Sequence, residues 1–428
     1  MPKVKPPPEW GIEPVPKNKK ILNFLDLFIF WTSLAVGLLV LQAGAFLAQD
    51  YGLSFEVIVV VTLVGSFIGS LILALVGVIG SRYGVTTMVS LRPSFGLKGS
   101  YLPTALNVMQ LIGWTTFELI IMGEAATAVV GNIFGAFTRQ IMVIVFALWC
   151  YLLMVSGPLM VIRQWLEKVA IWISTITTLW LTYIVFSKPM TIQSGVINLA
   201  VLPLALDLVI AMPVSWMPLI SDYNRFAKDD RHGFTGTLLG YVLANSWFYI
   251  VGAGLWFFSG GESVVYSIAL LALGNLALIA LLVDETDNGF ADIYSATVSL
   301  QNVYPKRKQW KIGLMIVALS TFLALTVEIT QYTDFLLLIG AAFIPVFGVV
   351  FADYFVIKRR TYNAQDFFPE KRAINIKAII SWSLGFVTYY YFAYIYAVGG
   401  TLPSLAIAFI SYTLLSKSER RWQRSQSP

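Results

Sequence analysis

The chain has 428 residues, of which 57% are hydrophobic and only 12% charged, with a formal net charge of +6. Soluble domains carry about 25% charged residues, so this composition excludes a water-soluble packing and calls for a bilayer, where lipid solvates the outside of each helix. One cysteine, Cys150, and one histidine, His232, exclude an intramolecular disulfide, a zinc site on the usual ligand sets and His-based nucleophilic catalysis. The basic excess lies in loops between apolar runs, which accounts for it without a nucleic-acid partner.

Residues 1–20 carry PPPEWGIEPVP and then Lys17, Lys19 and Lys20, with no apolar core ahead of a cleavage site. This segment reads as a mostly disordered cytoplasmic tail and not as a secretory signal. Twelve spans follow, near 22–47, 54–79, 102–130, 140–160, 168–187, 201–221, 234–258, 267–302, 312–329, 334–357, 375–397 and 401–416. With the N-terminus placed in the cytoplasm, every Lys and Arg except Arg139 and Lys188 falls on the cytoplasmic side. A missed or invented span would exchange the sides of every later loop and spoil that alternation. The reading is therefore an all-α, twelve-helix membrane protein of the plasma membrane, with both termini cytoplasmic and a short tail at 417–428.

Four spans carry unusual residues. The first, FIFWTSLAVGLLVLQAGAF, has small residues at Ser33, Ala35 and Gly37 that permit tight packing or a local break. The third contains GWTTFE, with Trp114 and Glu118 one turn apart on one face and Gly113 allowing close backbone approach. A flat aromatic with a carboxyl one turn away suits a planar nitrogen heterocycle, stacked on the indole and hydrogen-bonded at its edge. A packing or lipid-facing role for Trp114 is the alternative, and Glu118 at the same depth speaks against it. Glu124, nearer the outer end, reads as solvated or paired. In the sixth span Pro213 and Pro218 flank Ser215 and Trp216. Each proline removes a backbone donor, so the break frees polar groups to face a ligand, or is an ordinary membrane kink.

The eighth span, 267–302, is too long for one perpendicular crossing. Its 36 residues would make about 54 Å of helix against roughly 30 Å of hydrocarbon. Its middle reads DETDN, residues 284–288. Were that a loop between two short helices, the later Lys/Arg clusters would fall outside. Placed midspan, Asp284, Asp287 and Asn288 share one face and offer hard oxygens to a small cation, or carry a proton. Glu285 points elsewhere.

SLRPSFGLKGSYLP, GWTTFE, PLISDYNRFAKD and IPVFGVVFADYFVIKRR, in this order and on these spans, resemble the nucleobase:cation symporter-1 family over residues 20–416. The cytosine and hydroxymethylpyrimidine (thiamine-precursor) permeases are the most similar branch. The resemblance implies a leucine-transporter-type fold. Residues 21–190 and 201–358 would form inverted repeats of five spans each, and 375–416 two additional helices. The charge alternation agrees: five is odd, so a second set of five enters in the opposite orientation. It also implies substrate contacts at Trp114, Glu118, Gly37, Pro213, Ser215, Trp216 and Asp284, and a cation site at Ser33, Val36, Asp287 and Asn288. Glu118 stands where many members have Gln, Pro213 where many have an aromatic, and carboxylates where many have hydroxyls. These departures leave the coupling ion open between Na⁺ and H⁺.

The expected activity is symport of a nucleobase-like ring by alternating access, with no other cofactor. A carboxyl can pair with an exocyclic amino group and the adjacent ring nitrogen at once if one proton is shared, which favours cytosine or hydroxymethylpyrimidine. Two other classes compete with this one. An intramembrane enzyme using aspartates with a divalent metal needs two such motifs on facing helices, and only one is present. A passive channel needs a polar stripe on several spans, and here polarity is confined to a few midspan points.

Overall fold

The computed structural model describes residues 11–158, 161–162, 171–187, 200–370 and 373–426. Arg163, Lys168, Lys188, Lys371 and Arg372, which enter the charge count, lie outside them. Helix occupies each of the twelve expected segments: α1 Phe24–Ser33 with α2 Leu38–Gln49, α3 Phe55–Tyr83, α4 Tyr101–Val130, α5 Thr138–Ser156, α6 Ile171–Phe186, α7 Leu202–Ser215 continued by Ile220–Asn224, α8 Asp230–Ser259, α9 Gly274–Gln301, α10 Gln309–Ala324, α11 Tyr332–Phe351 extended by Ala352–Ile357, α12 Ile376–Tyr390 and α13 Thr401–Gln426. Among the described residues the only strand-like pairing is an isolated bridge between Leu22 and Ala227. Among the described residues, seven helices are long and apolar enough to cross a membrane, or eight when α1 and α2 count as one bent span. Of the other four segments, α6 and α10 hold shorter apolar helices, α9 carries acids at mid-length and α13 runs on into a charged stretch.

The order of elements repeats: a broken helix, two long helices, then two more. Within this pattern α3 packs against α8 and α4 against α9, while α12 and α13 pack on α11. The local sequence explains both breaks. α1 begins with a capping box between Asn23 and Asp26 and stops at Ser33, and α2 restarts after Gly37 with the axis turned by 58°. α7 carries Pro213 in its last turn. Residues Trp216–Leu219, with Pro218 among them, form tight turns before helix resumes at Ile220.

The overlong eighth segment resolves into a short helix Val264–Ala269, a turn with Leu273 in the left-handed region (φ 61°) and α9. Residues 284–288 lie within uninterrupted helix, which disposes of the loop alternative.

One sequence expectation, at the N-terminal end, is corrected. Residues 11–20 are not a loose tail. Ile12 and Val15 are buried, Val15 N–H donates to the Gly84 carbonyl, and Lys20 Nζ donates to the Ser81 and Arg82 carbonyls that end α3. Residues 1–10 lie outside the described part. At the other end, helix continues past residue 416 to Gln426.

α2 and α8 approach at backbone distance. A Cβ on Gly44 would collide with the Tyr249 carbonyl, and one on Gly252 with the Leu41 carbonyl. Small residues permit such contact between membrane helices. Gly252→Val is expected to lower stability by about 1–3 kcal/mol through overpacking, read as a lower melting temperature of the detergent-purified protein. An unchanged melting temperature would contradict this packing.

Candidate substrate and cation site

The site is built where α4 and α9 pass the two helix breaks. Asn107, Gln110, Trp114 and Glu118 lie along one side of α4. Asn107 Nδ2 donates to the Pro218 carbonyl at 3.2 Å, and Gln110 Nε2 donates to the Ser215 carbonyl at 3.2 Å. Both acceptors belong to the break after α7. Two turns beyond Gln110, the Glu118 carboxyl lies near the Glu285 carboxyl on α9, both buried. Glu285 Oε2 in turn accepts from Leu38 N–H at 2.7 Å, capping the first turn of α2 from a neighbouring helix. An acidic cap at a helix N-terminus is favoured by the helix dipole.

The cation candidates gather one turn away. The Ser33 hydroxyl lies 3.2 Å from both Asp284 Oδ1 and Asp287 Oδ2, and Asn288 Nδ2 donates to the Val36 carbonyl at 3.3 Å. Asn288 Oδ1 is buried with no donor among the described residues. The set is two carboxylates, a hydroxyl, an amide oxygen and a main-chain carbonyl, all hard oxygens of the kind a small alkali cation takes. No described group of three or more His, Cys, Asp or Glu side chains forms a metal cluster.

Aromatic residues wall the same region. Trp114 packs edge-on against Tyr332, with centroids 5.7 Å apart, and against Phe335 at 5.5 Å. Trp216 lies edge-on to Trp31 at 6.1 Å, and Trp31 Nε1 donates to Asn224 Oδ1 at 2.9 Å. A cavity of about 400 Å³ opens at the end of the bundle away from the basic loops, lined by residues including Gln42, Phe46, Glu124, Trp256 and Thr333. Phe46 is 6.3 Å from Tyr332, so two rings separate this cavity from Trp114. The basic end is packed shut: Arg225 donates to the Gly11 carbonyl and to Tyr294 Oη, Tyr223 Oη donates to the Ala291 carbonyl, and Thr87 N–H donates to Asp222.

The structure brings Trp114 and Glu118 onto one face, and Ser33, Val36, Asp284, Asp287 and Asn288 into one cluster. Three substrate candidates sit differently from the sequence expectation. Asp284 hydrogen-bonds within the cation cluster. The Pro213 ring rests on Gly69 of α3. The Ser215 hydroxyl folds back onto the Met212 carbonyl, leaving its own carbonyl to Gln110. At Gly37 the space beside the backbone is filled by Glu285, whose Oε2 would lie 2.8 Å from an added Cβ. Sequence reading did not single out Gln110, Tyr332, Asp292 or the part played by Glu285. Asp292, one heptad after Glu285 and on the same side of α9, is buried and close enough to Glu118 to act on it electrostatically. Its position at i+7 from Glu285 was the available signal.

This architecture, with two helices broken at mid-length beside two long polar-faced helices, is that of a secondary transporter of leucine-transporter type. The family described as "Permease for cytosine/purines, uracil, thiamine, allantoin" matches residues 14–410, and the chain belongs to it. Similar proteins include the cytosine permease of Escherichia coli strain K12, 24% identical with 85% of this chain and 84% of that one covered. The hydantoin permease of Microbacterium maritypicum is 21% identical over 94% of this chain and 86% of its own. Among solved structures, Mhp1, a nucleobase-cation-symport-1 family transporter in a closed conformation with bromovinylhydantoin bound, superposes with a TM-score of 0.79 at 16% identity, covering 98% of this chain and 97% of that one. A Na⁺-coupled sialic acid symporter superposes at 0.59, with 11% identity and coverage of 93% and 89%. The chain is thus a multi-pass membrane transporter, a permease of the nucleobase type and not an enzyme.

Gly37→Ala is expected to push Glu285 off the Leu38 N–H. An orphaned buried donor costs about 1–3 kcal/mol, measurable as a drop in melting temperature. A Gly37→Ala protein as stable as the wild type would argue against the Glu285 cap.

Proposed function

We propose that this chain is a secondary active symporter that imports an aminopyrimidine such as cytosine or hydroxymethylpyrimidine across the plasma membrane, coupled to Na⁺ or H⁺. The carrying observation is the single face of α4 that presents Trp114 and Glu118 beside both helix breaks. The ring stacks on Trp114 and meets Glu118 at its edge. Trp216 supplies the second aromatic surface. The cation sits among Ser33, the Val36 carbonyl, Asp284, Asp287 and Asn288, and draws the break of the first span onto α9. With both termini cytoplasmic, the cavity above Phe46 and Tyr332 faces outside. Rocking of 21–190 against 201–358 then closes that side and opens the basic end. The names of the relatives, which include cytosine, hydantoin and allantoin permeases, support a ring compound of this size and polarity.

The test is a binding panel of cytosine, hydroxymethylpyrimidine, uracil, hydantoin and allantoin on purified protein, with and without Na⁺. Trp114→Ala should weaken the best ligand by about tenfold or more, as loss of one base–aromatic stack does. Accumulation in proteoliposomes against a gradient, abolished by an ionophore, separates symport from passive flow. A panel in which no ring compound binds would end this reading.

A further inference from the structure

The basic end of the bundle carries a cavity of its own, of about 490 Å³. Three segments wall it. The docked N-terminal residues bring Lys17 and Lys20, the last turn of α3 brings Arg82, and the segment leading from α7 into α8 brings Lys228, Asp229, Asp230 and Arg231. Five basic side chains thus meet two acidic ones.

Both acids are already engaged. Asp230 is ion-paired with Arg82, whose Nε donates to Asp230 Oδ2 at 2.6 Å. Asp229 caps α8 by accepting the His232 N–H at 2.9 Å, and it lies 2.8 Å from His232 Nδ1. Lys20 is spent on the Ser81 and Arg82 carbonyls, which end α3. Lys17, Lys228 and Arg231 are exposed, and their side chains have no hydrogen bond or ion pair among the described residues. Like charges gathered over one cavity with no carboxylate left to balance them raise the local concentration of anions.

The cavity also stands at a defined height. The exposed apolar residues Phe24 and Leu25 begin α1 directly after the docked N-terminal residues. On α8 the exposed Leu239 follows Arg231 by about 12 Å of helix. Apolar surface suited to lipid tails therefore starts within about two helical turns of the basic rim, which sets the cavity at the level of lipid headgroups.

We propose that this cavity is a binding site for a doubly charged phosphate group, free or at the head of an anionic lipid, held by Lys17, Lys228 and Arg231. The Arg231 guanidinium takes two phosphate oxygens side by side, and the two lysines act as point charges. The site spans two parts of the chain. Lys17 belongs to the N-terminal residues, and Lys228 N–H already donates to the Leu22 carbonyl at 2.8 Å. A phosphate between Lys17 and Lys228 adds an ionic tie to that main-chain one. Its binding strengthens the hold of the N-terminal residues on the segment after α7.

The experiment uses the full-length protein, stripped of lipid in detergent at about pH 8, where a phosphate monoester carries close to two charges. The proteins are wild type, Lys17→Gln, Lys228→Gln/Arg231→Gln, and Lys306→Gln/Lys308→Gln, which removes the same charge from another exposed basic loop. Melting temperature is followed against inorganic phosphate, with chloride replacing it at constant ionic strength, and against phosphatidic acid in mixed micelles, with phosphatidylcholine for comparison. Wild type and the Lys306/Lys308 pair should be stabilised at the same half-saturating concentration. Lys228→Gln/Arg231→Gln should need about tenfold more or beyond, the loss of two basic residues. Lys17→Gln should shift the same way by less, and it reads the same site should the Lys228/Arg231 pair misfold.

Stabilisation by phosphatidic acid alone assigns the group to a lipid, and by inorganic phosphate alone to a free anion. Either result supports the site. Three results overturn it: a wild type that neither source stabilises, an unchanged response in both Lys17→Gln and Lys228→Gln/Arg231→Gln, or an equal weakening in the Lys306/Lys308 pair, which would show attraction by net charge alone. No ring compound enters these measurements, so they stand whatever the substrate proves to be.

Discussion

The structure depends on one constraint: backbone polar groups freed at a helix break inside a membrane must find partners within the protein, because lipid offers none. Here the partners come from two helices. α9 sends Glu285 to the Leu38 N–H and Asn288 to the Val36 carbonyl. α4 sends Asn107 and Gln110 to the Pro218 and Ser215 carbonyls. Each long helix is thereby fastened to one break, and Glu118 and Glu285 lie near each other between the two long helices. A chain of neighbouring side chains runs from the first break to the second through the place assigned to the substrate. Any ligand that alters it acts on both breaks together.

The same contacts set the direction in which the molecule is open. Towards the cavity, Trp114 packs on Tyr332, and Tyr332 on Phe46, which lines it. Towards the basic end, the segment after the second break is tied on every side. Leu22 and Phe226 pair through main-chain atoms, Asp222 accepts from Thr87, and Arg225 reaches across to Gly11. Opening this end requires several hydrogen bonds to part together, whereas opening the other requires a few aromatic side chains to turn. The docked residues 11–22 are part of this lock. That explains why GIEPV is apolar and not the featureless polar stretch expected of a free tail.

Periodicity and charge made much of this legible from the sequence. The alternation of basic loops placed DETDN within a helix, and α9 runs through it unbroken. The i, i+3, i+4 spacing of Asp284, Asp287 and Asn288 and the i, i+4 spacing of Trp114 and Glu118 are local properties of a helix, so sequence alone exposes them. What stayed hidden is non-local. Glu285 points away from the face of Asp284 and Asp287, and only the approach of α2 and α4 gives it a partner. Gly37 looked like a ligand-side glycine, but the atom that needs its missing Cβ is Glu285 Oε2. Pro213 stands in the right place in the chain, yet the crossing of α7 over α3 turns its ring onto Gly69. Tyr332 begins a helix far along the chain, and no local pattern ties it to Trp114.

Charge adds a last constraint. Glu118, Asp284, Glu285, Asp287 and Asp292 are all buried in the middle of the bundle. The Ser33 hydroxyl lies between Asp284 and Asp287, and the Leu38 N–H donates to Glu285. Several anions held in a medium that poorly solvates even one are untenable unless positive charge joins them. Each proton or small monovalent cation that joined the group would cancel one of these charges. Glu285 and Asn288 hold opposite sides of the same break, so the charge of this group and the shape of the break are tied together.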